Sequence, residues 1–329
     1  MMTLKQFQIW FEGKFSTLIE YKVTSFSQLS TNEDIKEILS QLSSYAKGGK
    51  HFRPYMVYVG YMTEGGEYDI FSLLAAIELL HLFCLVQDDI IDNESFRHGT
   101  ETLHRRVAEI KQSREIGRSV AMLVGDLLLA WSVECLEQTE IVEPYTIDDA
   151  KKEFRTLLSE VLHGQLLDVL LITNDNPSQE IILRSMYLKS AQYSFSRPLY
   201  IGTVLAGADQ ESKDFVEEYG INLGMAYQLQ DDRNDCLSDI KEGQQTLLSW
   251  YMFNQAADED RKEFDLFFSK EWSEDEEQKL MNVLRHSGAL SYVEKSIEDY
   301  FLQAEDAIFN HNKGGEEVWQ EIITTVKNV

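Results

Sequence analysis

Proline is scarce in this sequence: Pro54, Pro144, Pro177 and Pro198 are the only four in 329 residues. Long stretches run without proline or glycine, which excludes a strand-rich fold dependent on frequent turn punctuation. Cysteine is rarer still. Cys84, Cys135 and Cys236 are odd in number, far apart and without paired metal-ligand spacing. They exclude a disulfide framework and read as free thiols in a reducing cytosol. Positive charge is also short, with 30 Lys and Arg against 56 Asp and Glu and a formal charge of −26. Such a surface repels nucleic acid and anionic membrane, so neither is an expected partner. No apolar run reaches membrane length. The best candidate, Ile70 to Val86, carries Glu78 and His81 and runs into aspartates, so it reads as a core helix and no transmembrane segment is expected. Met1-Met2-Thr3-Leu4-Lys5-Gln6 has no apolar run after its charge, so no secretory signal is read and a cytoplasmic protein is expected.

What is present is apolar surface at helical spacing. Hydrophobic residues make up 43% of the chain, enough for a sizeable core, and the length suits one large domain or two ordinary ones. Leu157, Leu158, Val161, Leu162 and Leu166 recur with the helical period. Thr31-x-x-Asp34, Thr146-x-x-Asp149 and Ser273-x-x-Glu276 have the capping-box pattern, and Asn176-Pro177 places a capping residue before a helix-starting proline. No segment alternates with period two, and no stretch reads as a linker. The expectation is therefore one all-α domain over residues 1–329, with its most apolar helices at about 68–92, 116–137, 155–172 and 213–232.

One short element occurs twice. Val86-Gln87-Asp88-Asp89-x-x-Asp92 matches Leu229-Gln230-Asp231-Asp232-x-x-Asp235, and each copy ends an apolar helix. Residues i and i+4 share a helix face roughly 6 Å apart, so Asp88 and Asp92 project together, as do Asp231 and Asp235. Carboxylates this close repel one another unless cations neutralise them. Hard oxygen ligands suit Mg²⁺, which takes one or two carboxylates together with waters and substrate phosphate oxygens. In so acidic a chain a single motif is more simply a solvated helix end; two copies on apolar helices predict a magnesium clamp for an organic diphosphate. Cations for that diphosphate are available in Gly48-Gly49-Lys50-His51-Phe52-Arg53-Pro54, at Arg97 after the first motif, and at Lys189.

Together these residues resemble the trans-isoprenyl diphosphate synthase (polyprenyl synthetase) family from about residue 45 to 250. The resemblance is carried by GGKHFRP, HLFCLVQDDIID, RHGTETLH, Met122-Leu123-Val124-Gly125-Asp126, Gly164-Gln165-Leu166-Leu167-Asp168, YLKSAQYSFSRPLYIG and YQLQDDRND. It implies a bundle of antiparallel helices around a central cavity (the isoprenoid synthase fold), usually a homodimer. It implies a chain-elongating enzyme that condenses isopentenyl diphosphate with an allylic diphosphate, using Mg²⁺. Carried over by position, Asp88, Asp92 and Asp231, with Asp89, Asp232 and Asp235 supporting, would hold magnesium. Arg97 and Lys189 would contact the allylic diphosphate, and Lys50, Arg53 and His81 that of isopentenyl diphosphate. Gln228, with the backbone of Lys189 and Ser190, would sit near the developing carbocation. Phe83 followed by the smaller Cys84, just before the first motif, looks like the medium-chain pattern and implies a C20 product, with C15 next.

Three departures from the family pattern stand out. His98 occupies the place of a second arginine after Arg97. Gln244 stands where the family has a lysine, with Lys241 nearby as a partial substitute. The loop after Asp235 is short, only Cys236-Leu237-Ser238 preceding Asp239. Lost cations of this kind would also suit a non-catalytic regulatory subunit, although a dead subunit has no reason to keep two clusters of aspartates. A third reading is an enzyme that ionises an allylic diphosphate but cyclises it or gives it to another acceptor; a cyclase would instead show a second metal motif of mixed Asn, Ser or Thr, and Glu.

Overall fold

The computed structural model describes the chain apart from residues 30–31, 98, 141–143, 173–176, 312–314 and 329, and apart from the side chains of residues 43–44 and 144–145. The all-α expectation holds. The only sheet among the described residues is a hairpin of two-residue strands, β1 (Phe96–Arg97) and β2 (Thr100–Glu101), paired Phe96 to Glu101 and Arg97 to Thr100. The chain forms two compact units, Met1–Met62 with Gly66–Ile147 and Thr63–Gly65 with Asp148–Val329.

The first unit holds α1 (Leu4–Ser27), α2 (Glu33–Tyr45), α3 (Phe52–Thr63), α4 (Phe71–Ile91), the hairpin, α5 (Leu103–Lys111) and α6 (Arg114–Glu137). α4 packs along α6, and the buried Ser132 hydroxyl of α6 donates to the Ala76 carbonyl of α4 over 2.6 Å. Against the expectation that no run reaches membrane length, both helices are long and apolar enough to cross a membrane by length and composition alone; 61% of the α4 window and 44% of the α6 window lie buried. Phe7, Phe11 and Phe15 on α1 are fully buried and stack at successive turns, their ring centroids 5.4 and 5.3 Å apart. α1 is thereby built into the core of this unit, despite lying ahead of the first sequence motif.

The second unit begins within α7 (Pro144–Leu171). α8 (Gln179–Met186) runs without interruption through a π-helix (Tyr187–Ser196) into α9 (Arg197–Leu205), and α10 (Gln210–Asn234) packs against the π-helix, α9 and α15 (Ala289–Asn310). Then come α11 (Cys236–Glu242), α12 (Leu247–Asn254), α13 (Asp258–Asp265), α14 (Glu274–His286), α15 and α16 (Glu316–Lys327).

The start signals fare unevenly. Ser273 and Glu276 form the expected capping box at α14. Thr146 lies inside α7, because Pro144, with its preset φ and no N–H to satisfy, begins the helix two residues earlier. Asn176 and Thr31 fall outside the described residues. The cap of α8 is Ser178, whose hydroxyl accepts from Ile181 N–H, so Pro177 precedes the cap rather than following one.

The π-helix is the feature that no sequence period announces. Its wider turn is accommodated by glycine on two sides. A Cβ on Gly164 of α7 would lie 2.7 Å from the backbone nitrogen of Lys189, and one on Gly224 of α10 would lie 2.5 Å from the Cα of Ala191. Both approaches are to backbone, which cannot rotate away. Gly224→Ala should therefore destabilise the protein by about 1–3 kcal/mol despite alanine's better helix propensity. A chemical-denaturation midpoint for Gly224→Ala equal to or above that of wild type would contradict this packing.

Candidate active site

The two aspartate motifs end their helices in the same way. Asp92 is the C-cap of α4 and Asp235 that of α10; the cap N–H donates to the carbonyl of Asp88 and Asp231 respectively, over 2.9 Å in each case. The C-terminal end of a helix carries a partial negative charge. Carboxylates there face a dipole of their own sign as well as one another, an arrangement that a bound cation relieves. Asp88 and Asp232 are half-buried, while Asp92, Asp231 and Asp235 are exposed. Among the described residues no three acidic, His or Cys side chains converge as a cage. A few carboxylates open to solvent suit Mg²⁺ better than a cage would, since it keeps waters and takes phosphate oxygens as ligands.

In the first unit Asp89 differs from its neighbours. It is 1% exposed; its Oδ1 accepts from Arg97 Nε and its Oδ2 from the Tyr45 hydroxyl, each over 2.6 Å. Burial and the Asp89 carboxylate both push the Tyr45 phenol up, keeping it a donor. Burial alone would lower Arg97, but Asp89 outweighs it and holds the guanidinium charged. Asp89 thus ties α2 and the hairpin strand bearing Arg97 to the end of α4, leaving Asp88 and Asp92 as the motif's solvent-reaching carboxylates. His98, expected beside Arg97, lies outside the described residues.

The basic loop before α3 belongs to the same unit. Lys50 is exposed and Arg53 half-buried. Arg53 Nη1 lies 3.2 Å from His81 Nε2; since a guanidinium only donates, Nε2 accepts and the His81 proton sits on Nδ1. Between the two cations, His51 is buried at 3% exposure, with Nδ1 2.8 Å from Glu78 Oε1 and Nε2 2.6 Å from Glu12 Oε2. Burial works against its charge, but the bonds to Glu78 and Glu12 outweigh that and raise its pKa.

In the second unit the π-helix carries Lys189 and Ser190. Lys189 Nζ pairs with Asp168 Oδ2 over 2.6 Å. The Ser190 hydroxyl donates to Gln228 Oε1, and Gln228 Nε2 donates to Asp232 Oδ1 over 2.6 Å. The amide is therefore fixed at both ends, one of them on the second aspartate motif. Burial pushes the Asp232 carboxyl up to about 7; the Gln228 bond opposes this, Asp231 and Asp168 reinforce it, and Lys189 opposes it. Asp239 on α11 is pushed up to about 8 by burial and by Asp232, Asp235, Glu242 and Asp231. Carboxyls whose pKa is raised by burial among other acids are ones that a divalent cation would bind with proton release. Lys241, expected to assist here, pairs with Glu271 over 2.5 Å, and the half-buried Gln244 donates its backbone N–H to the Asp239 carbonyl over 2.8 Å.

Four participants carried no role in the sequence. Asp168 ends the motif segment that starts at Gly164, and Asp239 follows Asp235 by four residues, so both could have been noticed. Tyr45 and Glu12 gave no such signal, because their partners are 44 and 39 positions away.

Comparison with known proteins shows the family and the fold of the chain. The polyprenyl synthetase family model matches residues 35–284. A short chain isoprenyl diphosphate synthase of Methanocaldococcus jannaschii is 30% identical over 260 residues, 73% of either chain. A geranylgeranyl diphosphate synthase of Sulfolobus acidocaldarius is 28% identical over 278 residues, 80% of this chain and 81% of that one. Among solved structures, a geranylgeranyl pyrophosphate synthase from Corynebacterium glutamicum, complexed with isoprenyl diphosphate and magnesium, superposes with a TM-score of 0.89. It is 23% identical, covering 99% of this chain and 98% of that one, a likeness of fold.

The His51 geometry has a pH consequence. A histidine whose folded pKa is raised stabilises the fold fully below its unfolded pKa of about 6.5. That contribution fades as pH climbs from there through the folded value. The melting temperature of wild type relative to His51→Gln should therefore be highest at about pH 6 and shrink by pH 9; a difference that is flat or grows with pH would show that His51 is buried neutral.

Proposed function

The chain belongs to the polyprenyl synthetase family, and on that premise we propose that it condenses isopentenyl diphosphate head to tail with an allylic diphosphate, releasing diphosphate. The observation that carries this is the duplicated aspartate motif, with the same cap geometry at the ends of α4 and α10. The family match crosses both compact units, which supports one catalytic domain over residues 1–329.

The aspartates expected to hold magnesium are Asp88, Asp89 and Asp92 from α4 and Asp231, Asp232 and Asp235 from α10; of these, Asp89 is engaged by Arg97 and Tyr45. Bound Mg²⁺ would neutralise charge on the departing diphosphate. Asp89 keeps Arg97 ordered for the same anion, and Lys189 is steered by Asp168. Breaking the allylic C–O bond sends its electron pair to the diphosphate; the isopentenyl double bond attacks the carbon left behind, and a proton is lost to the departed diphosphate. Gln228, held by Ser190 and Asp232, presents a fixed dipole to the transient positive charge, and fixed dipoles act most strongly on charge that develops during the reaction. Lys50, Arg53 and His81 bind the second diphosphate.

Two further parts of the reading rest on surfaces. On α7, Leu162, Leu166 and Leu170 recur every four residues and are 46, 58 and 57% exposed; on α6, Met122 and Leu123 are also exposed. Apolar stripes of this kind support a homodimer. The three cysteines are free, which supports a reducing, cytoplasmic setting.

Product formation from isopentenyl and farnesyl diphosphates should stop in chelator and return with Mg²⁺. Asp88→Asn and Asp231→Asn should each lower the rate by roughly three orders of magnitude. Activity within a few-fold of wild type in either variant would refute magnesium binding by that motif. The expected product is C20. Phe83 is buried on α4, five residues before Asp88 and about 7.5 Å along the axis, where a growing chain would meet it. Phe83→Ala should lengthen the product by at least one five-carbon unit, and an unchanged product distribution would remove Phe83 as the floor.

A further inference from the structure

His51 is the most constrained residue of the basic loop. Its backbone is left-handed, at φ 47°, a conformation uncommon for a residue with a side chain. Its ring is gripped by carboxylates on both nitrogens, and the Phe11 ring meets it edge-on at 5.1 Å. Both nitrogens must donate to satisfy both carboxylates, so the ring is an imidazolium. Glu78 depends on it: that side chain is 3% exposed, and its Oε2 has no hydrogen-bond partner among the described residues.

The grip comes from two helices. Glu78 and His81 lie three apart on α4, and they meet His51 and Arg53, which flank the start of α3. From the other side come Gln8 and Glu12 of α1, four apart and so on one helix face. Gln8 Nε2 donates to the Lys50 carbonyl over 2.7 Å, and Glu12 takes the outer nitrogen of His51. α1 lies ahead of residue 35, where the family match starts, so this half of the grip belongs to a segment outside that match.

We propose that Gln8 and Glu12 of α1 are positioning residues for the isopentenyl diphosphate site: through the Lys50 carbonyl and the His51 ring they fix the turn from which Lys50 and Arg53 reach the substrate. The inference rests on the assignment of those two cations to that diphosphate. The left-handed turn at His51 leaves Lys50 exposed and starts α3 so that Arg53 falls in its first turn. An anion there also meets the positive end of the helix. Without the α1 contacts, His51 keeps only Glu78 and the loop can relax toward an ordinary backbone conformation, carrying Lys50 with it.

Charge gives the test its sign. Glu12 is an anion near a site for an anion, so if it acted only through the field, neutralising it would tighten diphosphate binding. If it positions the loop, the same change weakens binding. Glu12 is 32% exposed, so Glu12→Gln is a milder change than replacing the buried His51, and Gln8→Ala carries no change of charge.

The experiment is calorimetric binding of isopentenyl diphosphate to the full chain, without allylic substrate, for wild type, Glu12→Gln and Gln8→Ala. Steady-state kinetics on the same proteins would vary isopentenyl and farnesyl diphosphates in turn. Both variants should bind isopentenyl diphosphate about fivefold to tenfold more weakly, the size expected for losing one hydrogen bond, charge-assisted for Glu12 and neutral for Gln8. KM for isopentenyl diphosphate should rise in step, while KM for farnesyl diphosphate stays within about twofold. Binding that is unchanged or tighter in Glu12→Gln, or an equal loss for both substrates, would overturn the inference and leave the proposed reaction standing. A wild-type chain that neither binds isopentenyl diphosphate nor makes product would overturn the reaction and this inference together.

Discussion

Like charge at the wrong end of a helix is the constraint on which most of this molecule depends. Asp88 and Asp92 close α4, and Asp231 and Asp235 close α10, so each pair stands where the backbone already presents carbonyl oxygens without amide partners. An unassisted pair of this kind works against the helix that carries it. The cost is met by the rest of each helix, which is buried: Leu73 to Leu80 on α4, and Tyr219, Leu223, Ala226 and Leu229 on α10. Apolar burial fixes the helix ends, and the fixed ends hold charge that would otherwise disperse.

Each unit moderates its aspartates differently. In the first, Asp89 is withdrawn and neutralised by Arg97 and Tyr45. In the second, Asp232 receives the amide of Gln228, and burial and its acidic neighbours push its pKa up to about 7. The formal charge of −26 thus conceals two local regimes: acids matched by protein donors, and acids left short of positive charge. An acidic enzyme can recognise an anion when the second kind of acid first gathers cations.

The sequence revealed the fold class through long apolar periodicity and scarce proline, and revealed the aspartate motifs because they are local and repeated. What it concealed was non-local or irregular. Thr146 looked like a cap because the capping-box pattern is satisfied by many interior residues, whereas Pro144 acts through backbone geometry. The two-residue strands around Gly99 are too short to show alternation. Asp89 and Asp88 are indistinguishable as letters, yet one faces Tyr45 across 44 positions of sequence and the other reaches solvent. His51 is a single histidine within a basic motif, and neither of its carboxylates stands near it in the chain.

The π-helix carries an evolutionary consequence. A helix that closes its hydrogen bonds to the fifth residue holds more residues per turn than the α form, so it behaves as a stored insertion within the rod from Gln179 to Leu205. Removing one of residues 191–196 would let the wide turn tighten to the α form and rotate the residues held within it, Lys189 and Ser190 among them, relative to α9. Arg197 would keep its grip on Glu153 and Glu160, while Lys189 and Ser190 would leave Asp168 and Gln228. A point substitution in this stretch changes one side chain, but a single-codon deletion displaces several at once. Length variation should therefore be purged here more strictly than residue identity.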